Sequence, residues 1–191
     1  MEEKNIKEKW YDKKQSIYFY MCTFLVFCFI GWIYEVIWEF AIGNGFVNRG
    51  FLFGPYLPIY GFGGLLLIFL LKKLMCKKIK IGKLNITPII VFLAILFIVS
   101  VIEYFTSWGM EMIFHKRWWD YSYDILNING RVSLRNSSLL AAGGMGYLYL
   151  VMPLITKLLS KFKDKTVKII GLTSTIVISL DFIITIIGYL K

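Results

Sequence analysis

The chain has 191 residues, 58% of them hydrophobic and 18% aromatic, and a formal net charge of +10. The apolar residues fall in long runs separated by short polar segments, which leaves no room for a sizeable soluble domain. The basic residues crowd between those runs. They therefore read as topology signals and contacts with anionic lipid, not as a nucleic-acid-binding face, and no nucleic-acid partner is expected.

In chain order, Met1 to Ser16 is polar and mixed in charge. It reads as a cytoplasmic tail and not as a signal peptide, because the apolar run that follows is too long for one. A bilayer-spanning helix needs roughly 20 mostly apolar residues. Five stretches qualify: 17–42, 50–71, 86–110, 132–156 and 167–190. The expected fold is thus all-α, a polytopic helix bundle in the lipid bilayer, with residues 17–191 forming one membrane domain. The second stretch carries Pro55, Pro58, Gly61, Gly63 and Gly64 in its first half, so a broken or re-entrant start is expected there.

Lysine and arginine set the orientation. The tail, the loop at 72–83 and the loop at 157–168 carry 16 of them, against six on the other side, counting Arg49, Lys116, Arg117, Arg131, Arg135 and Lys191. The positive-inside rule then gives the N-terminus inside and the C-terminus outside. The longest connection, 111–135, becomes external. Its Trp118, Trp119, Tyr121 and Tyr123 suit the headgroup layer, and Asn127-Ile128-Asn129-Gly130 reads as a turn.

Ionisable residues inside spans are costly and mark candidate sites. Here they are Glu35, Glu39, Glu103 and Asp181, with Glu111 at the end of the third span. Glu35 and Glu39 share a helical face at i, i+4. At ~1.5 Å per residue, Glu35 and Glu103 lie about 24–27 Å, and Asp181 roughly 20 Å, from the lysine-bearing ends. All fall in the outer half, with Arg49 and Arg131. Such acids either pair with Arg49, Arg131 or Arg135 to knit the outer ends together, or line a substrate or ion cavity. For Glu39, near the interface, simple solvation is a further alternative.

Several chemistries are set aside. The sequence lacks a P-loop, and its single histidine, His115, makes a metal site or a catalytic triad improbable. No cofactor and no metal are expected, and no catalytic residue is assigned. The pairs Gly50/Gly54 and Ala142/Gly146 have the spacing of close helix packing.

The runs Phe29-Ile30-Gly31-Trp32-Ile33-Tyr34-Glu35, Phe46-Val47-Asn48-Arg49-Gly50-Phe51-Leu52-Phe53-Gly54-Pro55 and Pro58-Ile59-Tyr60-Gly61-Phe62-Gly63 resemble the ABC-transporter type IV permease family of CmpB type. So do Glu103-Tyr104, Trp118-Trp119-Asp120-Tyr121-Ser122, and Asn127 with Gly130-Arg131. The sequence departs from the family pattern at Leu57, where cysteine is expected, and at Ala141-Ala142-Gly143-Gly144, where tryptophan is expected. The resemblance implies a permease subunit in the plasma membrane that moves a small solute. A separate ATPase subunit would supply the energy, and a homodimer would enclose the path. It implies that Glu35, Asn48, Arg49, Glu103, Asp120, Asn127 and Arg131, with Trp118, Trp119 and Tyr121, belong to an outward-facing site. Two other readings stay open. One is a non-transporting scaffold that binds a partner or an envelope lipid through its external face. The other is a membrane-embedded enzyme using Glu35 or Glu103 on a lipid-linked substrate.

Overall fold

The computed structural model describes Trp10 and residues 14–189. Most of the expected tail, the end of the last span at Leu190, and Lys191 lie outside the described residues. The fold is all-α, and among the described residues five helices are long and apolar enough to cross a membrane. It divides into two compact units. One comprises the chain up to Leu66 and again from Met152 onward; the other is Leu67–Val151.

The first unit is built on α1 (Ile17–Ala41) and the last helix of the chain. Ser16 starts α1 by accepting a hydrogen bond from the Phe19 amide at 3.2 Å, a cap worth about 1 kcal/mol. Past the end of α1, Gly43 and Gly45 take φ of 90° and 70°, which turn the chain out of the helix. The following helix α2 (Pro58–Cys76) begins eight residues later than the apolar run suggests and ends five residues beyond it. Proline explains the late start. Neither Pro55 nor Pro58 has an amide hydrogen, and Pro58 sits at the first helical position, where none is needed. Residues 43–57 therefore run without helical structure.

Within the first unit, glycines let the helices approach closely. A Cβ on Gly61 would strike Cys28 and Phe24, and one on Gly64 would strike Phe27, so the start of α2 lies against α1. On the other flank of α1 packs the final helix, which follows α3 (Thr87–Phe114), α4 (Leu134–Gly146) and α5 (Met152–Leu159) and is labelled α6 (Asp164–Tyr189). A Cβ on Gly171 of α6 would stand 2.9 Å from the Tyr18 carbonyl oxygen, and Cys22 Sγ lies 3.5 Å from the Val167 carbonyl oxygen.

The second unit holds the rest of α2, then a lysine-bearing hairpin of β1 (Lys80–Ile81) and β2 (Leu84–Asn85) that turns at Gly82. α3 starts with Pro88 in its first turn and stops at His115, whose left-handed φ of 51° closes the helix. Its buried residues Thr87, Val91, Ile95, Glu103 and Ser107 fall on one four-residue stripe, with the half-buried Val99 filling the gap between Ile95 and Glu103. This stripe is apolar in the middle and polar toward the C-terminus. It packs on α4, where Gly144 admits the Ile95 side chain. A second hairpin, β3 (Asn127–Ile128) with β4 (Val132–Ser133), leads into α4. Asn129 and Gly130, at φ of 53° and 66°, make its turn. α4 and α5 form one 26-residue span, Leu134–Leu159, interrupted by a π-helical turn at Tyr147–Val151. Pro153 accounts for the interruption, since it has no N–H to offer the Tyr149 carbonyl.

Candidate functional site

The sequence-derived site residues gather into two groups, one in each unit. In the first unit, α1 presents Trp32, Glu35 and Glu39 at helical spacing, and the non-helical segment after α1 returns to meet them. Arg49 Nη2 lies 2.8 Å from Glu39 Oε1, while its Nε lies 4.0 Å from Glu35 Oε2. Glu39 also accepts a hydrogen bond from Asn44 Nδ2 at 2.7 Å and is only 5% exposed. Of the alternatives open for Glu39, the structure favours pairing over solvation: two donors from one loop cover it. Glu35 accepts from the Tyr60 hydroxyl at 2.5 Å. Gly31 makes room for that contact, because the Tyr60 ring packs where a Cβ would stand. Asn48 is nearby but separately engaged, accepting from Trp32 Nε1 at 2.7 Å.

Asp181 of α6 organises the other side of the same segment. Its carboxylate accepts from the amides of Phe53 (3.2 Å) and Gly54 (2.9 Å), from the Tyr56 hydroxyl (2.6 Å) and from the Thr185 hydroxyl (3.1 Å). The Leu57 amide donates to the Cys28 carbonyl at 3.0 Å. Non-helical backbone at membrane depth must have its polar groups satisfied by protein or water, and here an intramembrane acid supplies two of the acceptors. Phe51 stacks on Tyr189 at 5.1 Å and leans on Phe182.

In the second unit, the polar end of the α3 stripe is the anchor. Glu103, 7% exposed, accepts from Asn136 Nδ2 at 2.7 Å, from the Tyr121 hydroxyl at 3.2 Å and from the Ser137 hydroxyl at 3.4 Å. Arg131, 9% exposed, donates to the Ser107 hydroxyl at 3.2 Å and forms a close ion pair with Glu111. Glu111 also accepts from Arg117 Nε at 3.0 Å. Trp119 Nε1 donates to the Arg131 carbonyl at 3.0 Å, and Lys116 stands over the Trp118 ring at 5.4 Å.

The loop after α3 is folded onto that helix. The Tyr121 amide donates to the Gly130 carbonyl at 2.7 Å, and Asn129 Nδ2 reaches the Tyr104 hydroxyl at 3.1 Å. Asn127 closes the turn, accepting from the Gly130 amide at 3.0 Å and donating to the Asp124 carbonyl at 2.8 Å. Ser133 caps α4 through the Asn136 amide and donates to Asp124 at 2.7 Å. Asp120 accepts from the hydroxyl (2.5 Å) and amide (2.9 Å) of Ser122, and these bonds hold its carboxyl below the usual carboxylate range. Among the described residues, no group of three or more His, Cys, Asp or Glu side chains is placed to hold a metal.

Residues 22–186 match the protein family described as "Putative ABC-transporter type IV", of CmpB type. The chain belongs to this family. Neither the curated proteins nor the solved structures contain a match. For this CmpB-type chain, then, the membrane helices and the family agree on a multi-pass membrane protein. Reading from sequence left out of the site Tyr56, Tyr60, Asn136 and Ser137, neutral donors to the acids, and Ser107, whose hydroxyl accepts from Arg131. Their one signal was periodicity: Ser107 falls on the fourth-residue stripe of α3, and Asn136 and Ser137 open the facing helix.

Proposed function

We propose that this chain is the membrane-embedded permease subunit of an ABC-type transport system. It handles a small solute in the plasma membrane and takes its energy from a separate ATPase. The observation that carries this reading is the non-helical segment 43–57, clasped between the acids of α1 and Asp181 of α6. Secondary transporters place substrate sites where a broken transmembrane element exposes backbone and charge at depth, and the first unit has that construction. The N-terminus lies in the cytoplasm and the C-terminus outside, supported by the 16-to-six partition of basic residues. The lysine loops then face the ATPase, while Glu35, Glu39 and Arg49 face outward. A bundle this small pairs with a second copy to surround a path.

Purification of the tagged full chain from native membranes in mild detergent tests the proposal. A P-loop ATPase is expected to co-purify, and the complex should hydrolyse ATP and move solute in proteoliposomes. If no ATPase accompanies the chain, and the reconstituted protein neither binds nor moves any tested solute, it is a scaffold.

A further inference from the structure

Within the second unit, the loop between α3 and α4 has its polarity turned inside out. Every exposed side chain from residue 123 to 128 is apolar: Tyr123 is 99% exposed, Ile125 87%, Leu126 69% and Ile128 59%. The two polar members of that stretch turn into the fold instead. Asp124 accepts from the Ser133 hydroxyl, while Asn127 accepts from the Gly130 amide and donates to the Asp124 carbonyl. The outward set is held in place. Ile128 pairs with Val132 across the hairpin, and the Leu126 carbonyl accepts from the Leu134 amide at 3.1 Å. Leu126 does so at a φ of 59°, a conformation uncommon for a residue with a Cβ. A fixed backbone thus presents aliphatic side chains that gain no burial from their own chain, and such a patch marks a contact with something else.

Depth along α3 identifies what that is. The helix enters the apolar layer at Thr87, directly after the lysine-bearing hairpin. From there, a rise of ~1.5 Å per residue puts Glu103 at about 24 Å, Ser107 at about 30 Å and Glu111 at about 36 Å. The loop is bonded to all three, Tyr121 to Glu103 and Arg131 to Ser107 and Glu111. It therefore straddles the far edge of a hydrocarbon core ~30 Å thick. Asn136 of α4 also meets Glu103, and Leu134 stands two residues farther out, so Leu126 beside it lies at about 27 Å. A soluble partner does not reach that level. We infer that residues 123–128 form a wedge set into the lipid at this edge. Ile125, Leu126 and Ile128 enter the acyl region just beneath the headgroups, and Tyr123 stands among the headgroups, which accept both its ring and its hydroxyl. Only depth enters the inference, so it stands apart from the transport reading and from which side of the membrane the loop occupies.

The full chain in phosphatidylcholine vesicles tests this, with one cysteine at a time carrying an environment-sensitive nitrobenzoxadiazole label on a cysteine-free background. At Ile125→Cys and at Ile128→Cys, lipid with a nitroxide near its headgroup should quench the label more than lipid with a nitroxide deep in its acyl chain. Iodide in the buffer should quench it little. Lys116→Cys is the contrast: it follows the end of α3, which the same rise puts about 10 Å beyond the hydrocarbon edge. There iodide should quench and the nitroxide lipids should not. The wild-type chain gives a second reading that needs no substitution. Irradiated in vesicles whose lipid carries a diazirine near the headgroup, it should acquire lipid adducts within 123–128, located by mass spectrometry. Iodide quenching at 125 and 128 equal to that at 116 would put the stretch in water. Protection there from iodide and nitroxide lipid alike would mean that protein covers it. Either result, or a wild-type chain without lipid adducts in 123–128, overturns the inference.

Discussion

Arg49 meets two carboxylates of one helical face, and the geometry separates their roles. Glu39 is buried and close, whereas Glu35 is 4.0 Å away and already served by Tyr60. Arg49→Ala therefore strands Glu39 more than Glu35. Because the Arg49 side chain is 44% exposed, the cost should fall between that of an exposed pair and a buried one, roughly 1–3 kcal/mol. Melting in detergent should show the loss, and adding Glu39→Gln to Arg49→Ala should recover part of it; an additive double mutant would deny the pairing. Asp120 gives a pH signature. Its folded-state pKa is lowered from the ordinary value of 3.8 by its bonds from Ser122. Its contribution is therefore present above that value and lost as pH falls through the lower, folded value. Tryptophan fluorescence of the loop should stay constant at neutral pH and change on strong acidification, and Asp120→Asn should blunt that change. An identical acid transition in Asp120→Asn would place the effect elsewhere.

Between α1 and α2, position 31 sets two opposing terms against each other. Gly31→Ala gains about 1 kcal/mol of helix propensity, yet the new Cβ would lie 2.6 Å from Tyr60 Cβ, too near the backbone of α2 to yield easily. Overpacking of that kind costs about 1–3 kcal/mol, so net destabilisation is expected, with loss of the Tyr60–Glu35 bond. A melting temperature raised by the substitution would contradict the close packing. Asp181→Asn should loosen segment 50–57, since an amide cannot accept from all four donors and each unmet group costs about 1–3 kcal/mol. A cysteine at position 53 should then react faster with a membrane-permeant thiol reagent; an unchanged rate would mean that Asp181 does not hold the segment. The five spans were legible in the sequence because each is a long apolar run. The delayed start of α2 was signalled by its prolines, although the run of apolar letters from Gly50 hid where the helix would begin. The partners of the charges were less legible. Hydrogen bonds from Tyr60 to Glu35, or from Phe53 and Gly54 to Asp181, join positions 25 to 128 residues apart. No local periodicity encodes such pairings.

At the level of the molecule, everything proposed about transport depends on sidedness: an ATPase can engage this chain only if its lysine loops face the cytoplasm. In the first unit, α1 carries Lys14 before its start and the acids near its end, so the orientation of that helix fixes which side Glu35 and Glu39 face. Single cysteines on a cysteine-free background, at positions 120, 78 and 163, can be labelled in intact cells with a membrane-impermeant maleimide. Labelling at 120, with none at 78 or 163 until the cells are opened, is the predicted result. Labelling of 78 and 163 in intact cells, with 120 protected, would turn the protein over in the membrane and contradict the account.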